Sequence, residues 1–192
     1  MSLGKFKPEV SINASVTTRP KVGGHFGIDG QWDVECYRNG NIIWTDHISN
    51  VIVNSAITYL LGVGIGSSAQ TSAGGWYLSL ISTGMSAASG DTMASHAGWT
   101  ECSAHTAVNR QVWQPDAVSG KTIDNSTNKA SFTINATTGV GGAFMCSVAS
   151  GGSAGDTLFA AGAFTGGDRA LSDGDVIQVQ AIFSGDGRKW HD

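Results

Sequence analysis

An all-β sandwich is the fold class that this 192-residue sequence predicts. Three observations predict it. Apolar and polar residues alternate with a period of two through several short segments, such as "KASFTINAT" and "DVIQVQAIFS". Clusters of Gly, Ser, Asn and Asp separate those segments, drawing on 27 glycines. Helical signals are confined to one or two short stretches. About eight such strands make the sandwich jelly-roll-like.

Residues 1–30 are polar, hold Pro8 and Pro20, and end in "GGHFGIDG". They read as an extended N-terminal arm or a weak edge strand ahead of a single sandwich domain over 31–192. A hairpin follows, in which "QWDVECYR" and "IIWTDHIS" flank Asn39-Gly40, a two-residue turn whose central residues both need positive φ. The simplest register pairs Arg38 with Asn41, Cys36 with Ile43, Val34 with Thr45 and Trp32 with His47. It sets Trp32, Val34, Cys36 and Ile43 on a buried face. It also sets Asp33 opposite Asp46, which is unfavourable for like charges. Either the register slips, or a cation or a partner sits there.

"NSAITYLLG" is the best helix: Asn54 caps it, Ile57, Leu60 and Leu61 share a face, and Gly62 ends it. "VGIGSSAQTSAGG" reads as a loop. Strands are expected at "WYLSLIS", "WTECSA", "NRQVWQ", "KASFTINAT", "GAFMCSVAS", "DTLFAAGAF" and "DVIQVQAIFS". "DTMASHAG" reads as a helix of one or two turns, with Asp91 as its cap and Gly98 as its left-handed stop.

The charge balance narrows the function. Charged residues make up 14%, against roughly 25% in an average soluble domain. The formal net charge is −4 and no basic block occurs, so the footprint of a nucleic-acid binder is missing. Low surface charge suggests that neighbours in an assembly cover much of the molecule. Cys36, Cys102 and Cys146 are too few and too widely spaced for a disulfide framework or a zinc site, and read as buried thiols of a chain folding in a reducing cytoplasm. No secretory signal is read at the N-terminus, and the longest apolar run falls short of a membrane span.

Each sign of chemistry has a plainer explanation. "GGSAG" at 151–155 matches the nucleophile-elbow pattern, but a strand rather than a helix is expected after it. No two histidines have the spacing that puts a metal-binding pair on one helical face. "GVGIG" follows a helix instead of preceding one and lacks a lysine. Asp91, His96 and Glu101 stand close together in "DTMASHAGWTE", yet a cap, a last-turn histidine and an outward strand residue account for them. Trp32, Trp76 and Trp99 sit in core registers, whereas Trp44, Trp113 and Trp190 are free to face a partner. Neither a catalytic residue, a metal nor a cofactor is expected.

The string "WYLSLISTG", "DTMASHAGWTE", the Arg and Trp of "NRQVWQPDAVSGKTIDNS", "FTINATTGVGGAFM" and "GDTLFAAGAFTGGDRALSDGDVIQVQAIFS" resembles a set of tailed-phage virion proteins, often labelled generically as tail-fibre proteins. Some of that set resemble capsid cement (decoration) proteins of short-tailed phages, with a jelly-roll-like β fold. The resemblance covers about residues 50 to 184. It implies a non-enzymatic protein, made in the host cytoplasm, that sits on the outer capsid surface of the virion. There it would bind across major capsid protein subunits and pack against other copies of itself, probing neither nucleic acid nor membrane. The basic Lys5, Lys7, Arg19 and Lys21 and the apolar Phe6, Ile12 and Val16 are then the expected capsid contacts. Trp44 and Trp113 are expected as exposed aromatic contacts. The alternative is a tail-fibre or baseplate module that binds a host-surface glycan.

Overall fold

The structure is a computed structural model and describes residues 24–71 and 74–189. Two antiparallel sheets pack face to face. The first contains β1 (Gly24–Arg38), β2 (Asn41–Ser49), β6 (Thr122–Asp124), β7 (Ala130–Thr133) and β11 (Val176–Lys189). Its order is β2-β1-β11-β6, with β7 pairing further along β11. The second contains β3 (Val51–Ile52), β4 (Tyr77–Ser82), β5 (Gln111–Val112), β8 (Thr138–Cys146), β9 (Leu158–Ala163) and β10 (Arg169–Leu171). Its order is β3-β9-β8-β4-β5, with β10 pairing β8. The helix α1 (Asn54–Gly64) follows β3.

The period-two alternation builds the core. Trp32, Val34 and Cys36 of β1 face Ile177, Val179 and Ala181 of β11 and are buried with Phe132, Leu78, Leu80, Phe144 and Leu158. A chain of aromatic rings ties α1 to both sheets. Tyr59 meets Trp76 at 5.1 Å, Trp76 meets Phe159 at 5.2 Å, and Phe159 meets Phe183 at 5.2 Å between centroids. Cys36, Cys102 and Cys146 are free, buried thiols.

The first hairpin turns where expected: Asn39 and Gly40 have φ of 50° and 78°. The register then slips. A bulge at Ile43 lets Tyr37 pair with Ile42 but Cys36 with Trp44, so Val34 faces Asp46 and Trp32 faces Ile48. The slip exchanges the faces of β2. Ile43, expected inside, is exposed, while Asp46 and Ile48 turn inward. Asp33 now lies opposite His47, whose Nδ1 is 2.7 Å from the Asp33 carboxylate. The like-charge clash is removed, and with it the reason for a shared cation.

Other local expectations change as well. β1 begins at Gly24, so residues 24–30, assigned to the arm, belong to the sheet. The helix starts after Val53 with no side-chain cap bond and runs through Gly62 to Gly64. Ser55 hydrogen-bonds the Leu158 carbonyl at 2.7 Å and so fastens the first turn to β9. "DTMASHAG" is a pair of tight turns, not a helix. Asp91 accepts from the Trp99 indole at 2.9 Å and from the Ala88 N–H at 3.0 Å, pinning the loop over a buried tryptophan. Gly98 is required by its close approach to the Ser86 carbonyl, not by a left-handed backbone. "WTECSA" lies beside β4 with one bridge, Ile81 to Glu101, rather than as a full strand.

Candidate interaction surface

Two kinds of surface feature stand out, polar knots and an apolar groove, and only the second is open. Asp46 is the centre of the first knot. Its carboxylate accepts from Arg169 (2.6 and 3.1 Å), the Thr165 hydroxyl (2.8 Å) and the N–H groups of His47 (2.8 Å) and Gly166 (3.1 Å). Burial by itself would raise this carboxyl. The bonds from Arg169, Thr165, His47 and Gly166 prevail and hold it at about 2. Arg169 also lies 5.5 Å above the Trp44 ring.

Arg110 is the centre of the second knot. It forks onto Glu101 at 2.9 and 2.7 Å, donates to the carbonyls of Val148 and Gly151, and lies 5.1 Å over the Phe144 ring. Its side chain is 4% exposed. A third pair joins Arg38 to Asp175 at 2.7 and 2.8 Å. Each knot links segments far apart in sequence and spends its donors on fixed partners.

The candidate catalytic groups do not converge. Asp91 and His96 are both spent on Trp99, through its indole and its backbone carbonyl, and His96 also stacks on that ring at 3.8 Å. Glu101 is held by Arg110. Ser153 of "GGSAG" lies in a loop before β9, and its hydroxyl donates to Asp156 at 2.8 Å. Among the described residues, no group of three or more His, Cys, Asp or Glu side chains is placed to hold a metal ion.

The groove lies between the start of β1 and helix α1. Its volume is about 1480 Å³, and its lining includes Gly27 to Gln31, Asn50, Ile52, Ile182 and the outer face of α1. The helix keeps only Ala56 fully buried. Ile57, Leu61 and Ile65 are 49, 54 and 86% exposed. A helix that is apolar nearly all round normally lies inside a protein. The other wall comes from an overhang. β1 and β11 pair from Gly24 with Lys189 inward, whereas β2 joins β1 only from Gln31, and β6 joins β11 only at Ile182 to Ser184. Asn50 closes the end of β2. Oriented as its neighbours require, its amide donates to the Gly30 carbonyl and accepts from the Trp32 indole at 3.0 Å.

Of the residues singled out from the sequence, Lys5, Phe6, Lys7, Ile12, Val16, Arg19 and Lys21 lie outside the described residues. The two tryptophans correct the reading of exposed aromatics. Trp113 is 7% exposed and packs edge-on against Phe183 at 5.9 Å. Trp44 is half-buried between Phe164, at 5.8 Å, and Arg169. The groove was missed, though α1 carried a signal for it: "ITYLLGVGI" has no charged residue to face water.

No family model, no curated protein and no solved structure matches the chain.

Proposed function

We propose that this protein is a non-enzymatic structural component of a virion, a capsid cement protein that binds the outer shell across major capsid protein subunits. The observation that carries an interaction role is the apolar groove beside α1, on a chain whose buried charges serve the fold. The capsid as partner is drawn from the resemblance of residues 50 to 184 to tailed-phage virion proteins. A cement protein needs an inert β core, few surface charges and a reaching element. Residues 1–23 precede β1 and supply such an arm, with Lys5, Lys7, Arg19 and Lys21 for an acidic shell and Phe6, Ile12 and Val16 as apolar anchors. Ordering an arm costs about 1–2 kcal/mol per residue in backbone entropy, so the anchors have to bury area or pair along a sheet edge. Many copies per shell then make modest contacts sufficient.

A tail-fibre or baseplate module that stacks glycans on aromatics is less well supported. Trp113 is in the core and one side of Trp44 is taken by Phe164.

The test is shell binding by a protein lacking residues 1–22, which leaves β1 whole. A folded core that no longer binds shells is expected, and unaltered binding overturns the arm's role. Copy number decides the location: hundreds per particle place the protein on the shell, a few dozen or fewer place it in the tail.

A further inference from the structure

We propose that the groove beside α1 receives an aliphatic, otherwise uncharged segment of a partner protein that carries one basic side chain, set against Asp29. The partner's identity, a segment of the major capsid protein, rests on the capsid reading, whereas the chemistry of the segment rests on the groove alone.

The helix wall sets the aliphatic part. Ile57, Leu61 and Ile65 are exposed in one row, four residues apart. Such a row is a ridge that a second apolar surface packs around. It lies in the longest uncharged run of the chain: residues 47–90 contain no Asp, Glu, Lys or Arg. Exposed protein surface normally mixes both signs of charge, whereas the centre of a protein–protein contact is depleted of them. Covering this face takes no charge out of water, and so avoids the largest cost of burying a surface.

The strand wall sets the charge. Asp29 is exposed on β1, opposite Ser184 of β11. It is the one charged side chain among the described residues that line the groove. Lys or Arg beside it gains an ion pair at the rim, and Asp or Glu there meets a like charge. An exposed pair of this kind adds little affinity and mainly selects the partner and its register. The segment is therefore held by the helix row and oriented by Asp29. The arm and the groove then take different parts of the shell: acidic sites for Lys5, Lys7, Arg19 and Lys21, and a single basic one for Asp29.

Two other occupants fit the lining less well. Helices that lie on membranes carry Lys and Arg on their polar face to meet anionic lipid, and α1 has neither. Sugars stack on aromatic rings, and the described lining has none.

The experiment uses the full chain with isotope-labelled Ile and Leu methyl groups, followed by NMR. Decylammonium and decanoate are the probes; they stand in for an aliphatic segment with a basic or an acidic end. Both are expected to move the Ile57 and Leu61 methyl signals, decylammonium at a concentration roughly two- to fivefold lower, the range that an exposed ion pair spans. In Asp29→Asn the two probes are expected to act alike, and in Leu61→Asp neither is expected to act at the groove. Equal action on the parent, or a parent whose groove signals ignore both probes, overturns the inference. A response only after removal of residues 1–22 would mean that the chain's own N-terminal segment holds the groove. Loss of a dimer in Leu61→Asp, seen by sedimentation, would mean that a second copy does. Either overturns it, and so does binding of the parent to phosphatidylglycerol vesicles that Leu61→Asp abolishes. Shells of major capsid protein supply the second readout. Leu61→Asp is expected to weaken shell binding about tenfold or more, as truncating a central contact does, with a smaller loss in Asp29→Lys and almost none in Asp29→Glu. Shells that bind Leu61→Asp as well as the parent overturn the inference and leave the capsid reading standing. A parent that ignores shells sinks the capsid reading, and the alkyl probes then decide the groove on their own.

Discussion

The two halves of β1 have the same alternation and very different surroundings. From Gln31 to Arg38 the strand lies between β2 and β11, and Trp32, Val34 and Cys36 are at most 1% exposed. From Gly24 to Gly30 its strand partner among the described residues is β11 alone, and Ile28 is half-buried. A strand's own pattern decides which face is apolar. Only its neighbours decide whether that face is dry. The inner half contributes stability, and the outer half, with α1, offers unused apolar area to a further strand or partner.

The largest expected effect contrasts the halves directly. Trp32→Ala removes a fully buried ring that packs on Phe183 at 6.2 Å and leaves Asn50 without an indole partner. It should cost about 3–5 kcal/mol, measured by urea unfolding. Ile28→Ala, at the same parity, should cost roughly 1–2 kcal/mol, because its side chain is only partly buried. Equal costs would mean that the outer half is as enclosed as the inner half, and the contrast would fail.

The next effect concerns the polar knot at Asp46. Its carboxyl is held at about 2 in the folded protein, below the ordinary aspartate value of 3.8. The sign follows from a lowered folded value. The contribution is fully present above about pH 4 and is lost as pH falls towards 2. The shift corresponds to about 2 kcal/mol. Asp46→Asn should therefore be less stable than the parent at neutral pH by about that amount, and the gap should close between pH 4 and 2. A gap independent of pH would show that the charge on Asp46 is not what Arg169 and the two backbone N–H groups reward. The Cys36 thiol makes the opposite case. Burial pushes it up to about 11. Its contribution is present below about pH 9 and declines as pH rises towards 11.

What was legible in the sequence was local. The Asn39-Gly40 turn, the alternating strands β7 and β11 and the helix after Val53 each depend on residues within a few positions, whereas β8, which reads as alternating, is buried on both faces, Met145 as well as Phe144 and Cys146. The Asp33–Asp46 clash signalled that the simplest register was unsound, but the place of the slip was not legible, because the bulge at Ile43 serves Asp46, whose partner Arg169 is 123 residues away. Trp113 looked free because it follows the two-residue β5, and its burial comes from Phe183 in the other sheet. The strands β6 and β10 are three residues long and too short to show a period. Asp91 had the spacing of a helix cap, yet an indole eight residues on was the better donor. The groove was hidden for the same reason. One wall is a strand edge and the other a helix face, joined only by the β2–β3 corner, although the uncharged helix pointed to it.

The smallest effect is the one that tests whether the two halves of β1 differ in the complete chain. Leu61 is 54% exposed on α1. With the groove open in solution, Leu61→Ser should change stability by no more than about 0.5 kcal/mol in urea unfolding, as surface substitutions do. Ile65, 86% exposed on the same lining, should respond in the same way. A cost of about 1 kcal/mol or more at Leu61 would mean that part of its side chain is dry in solution. The outer half of β1 would then share a covered groove with α1, and the contrast with the inner half would weaken.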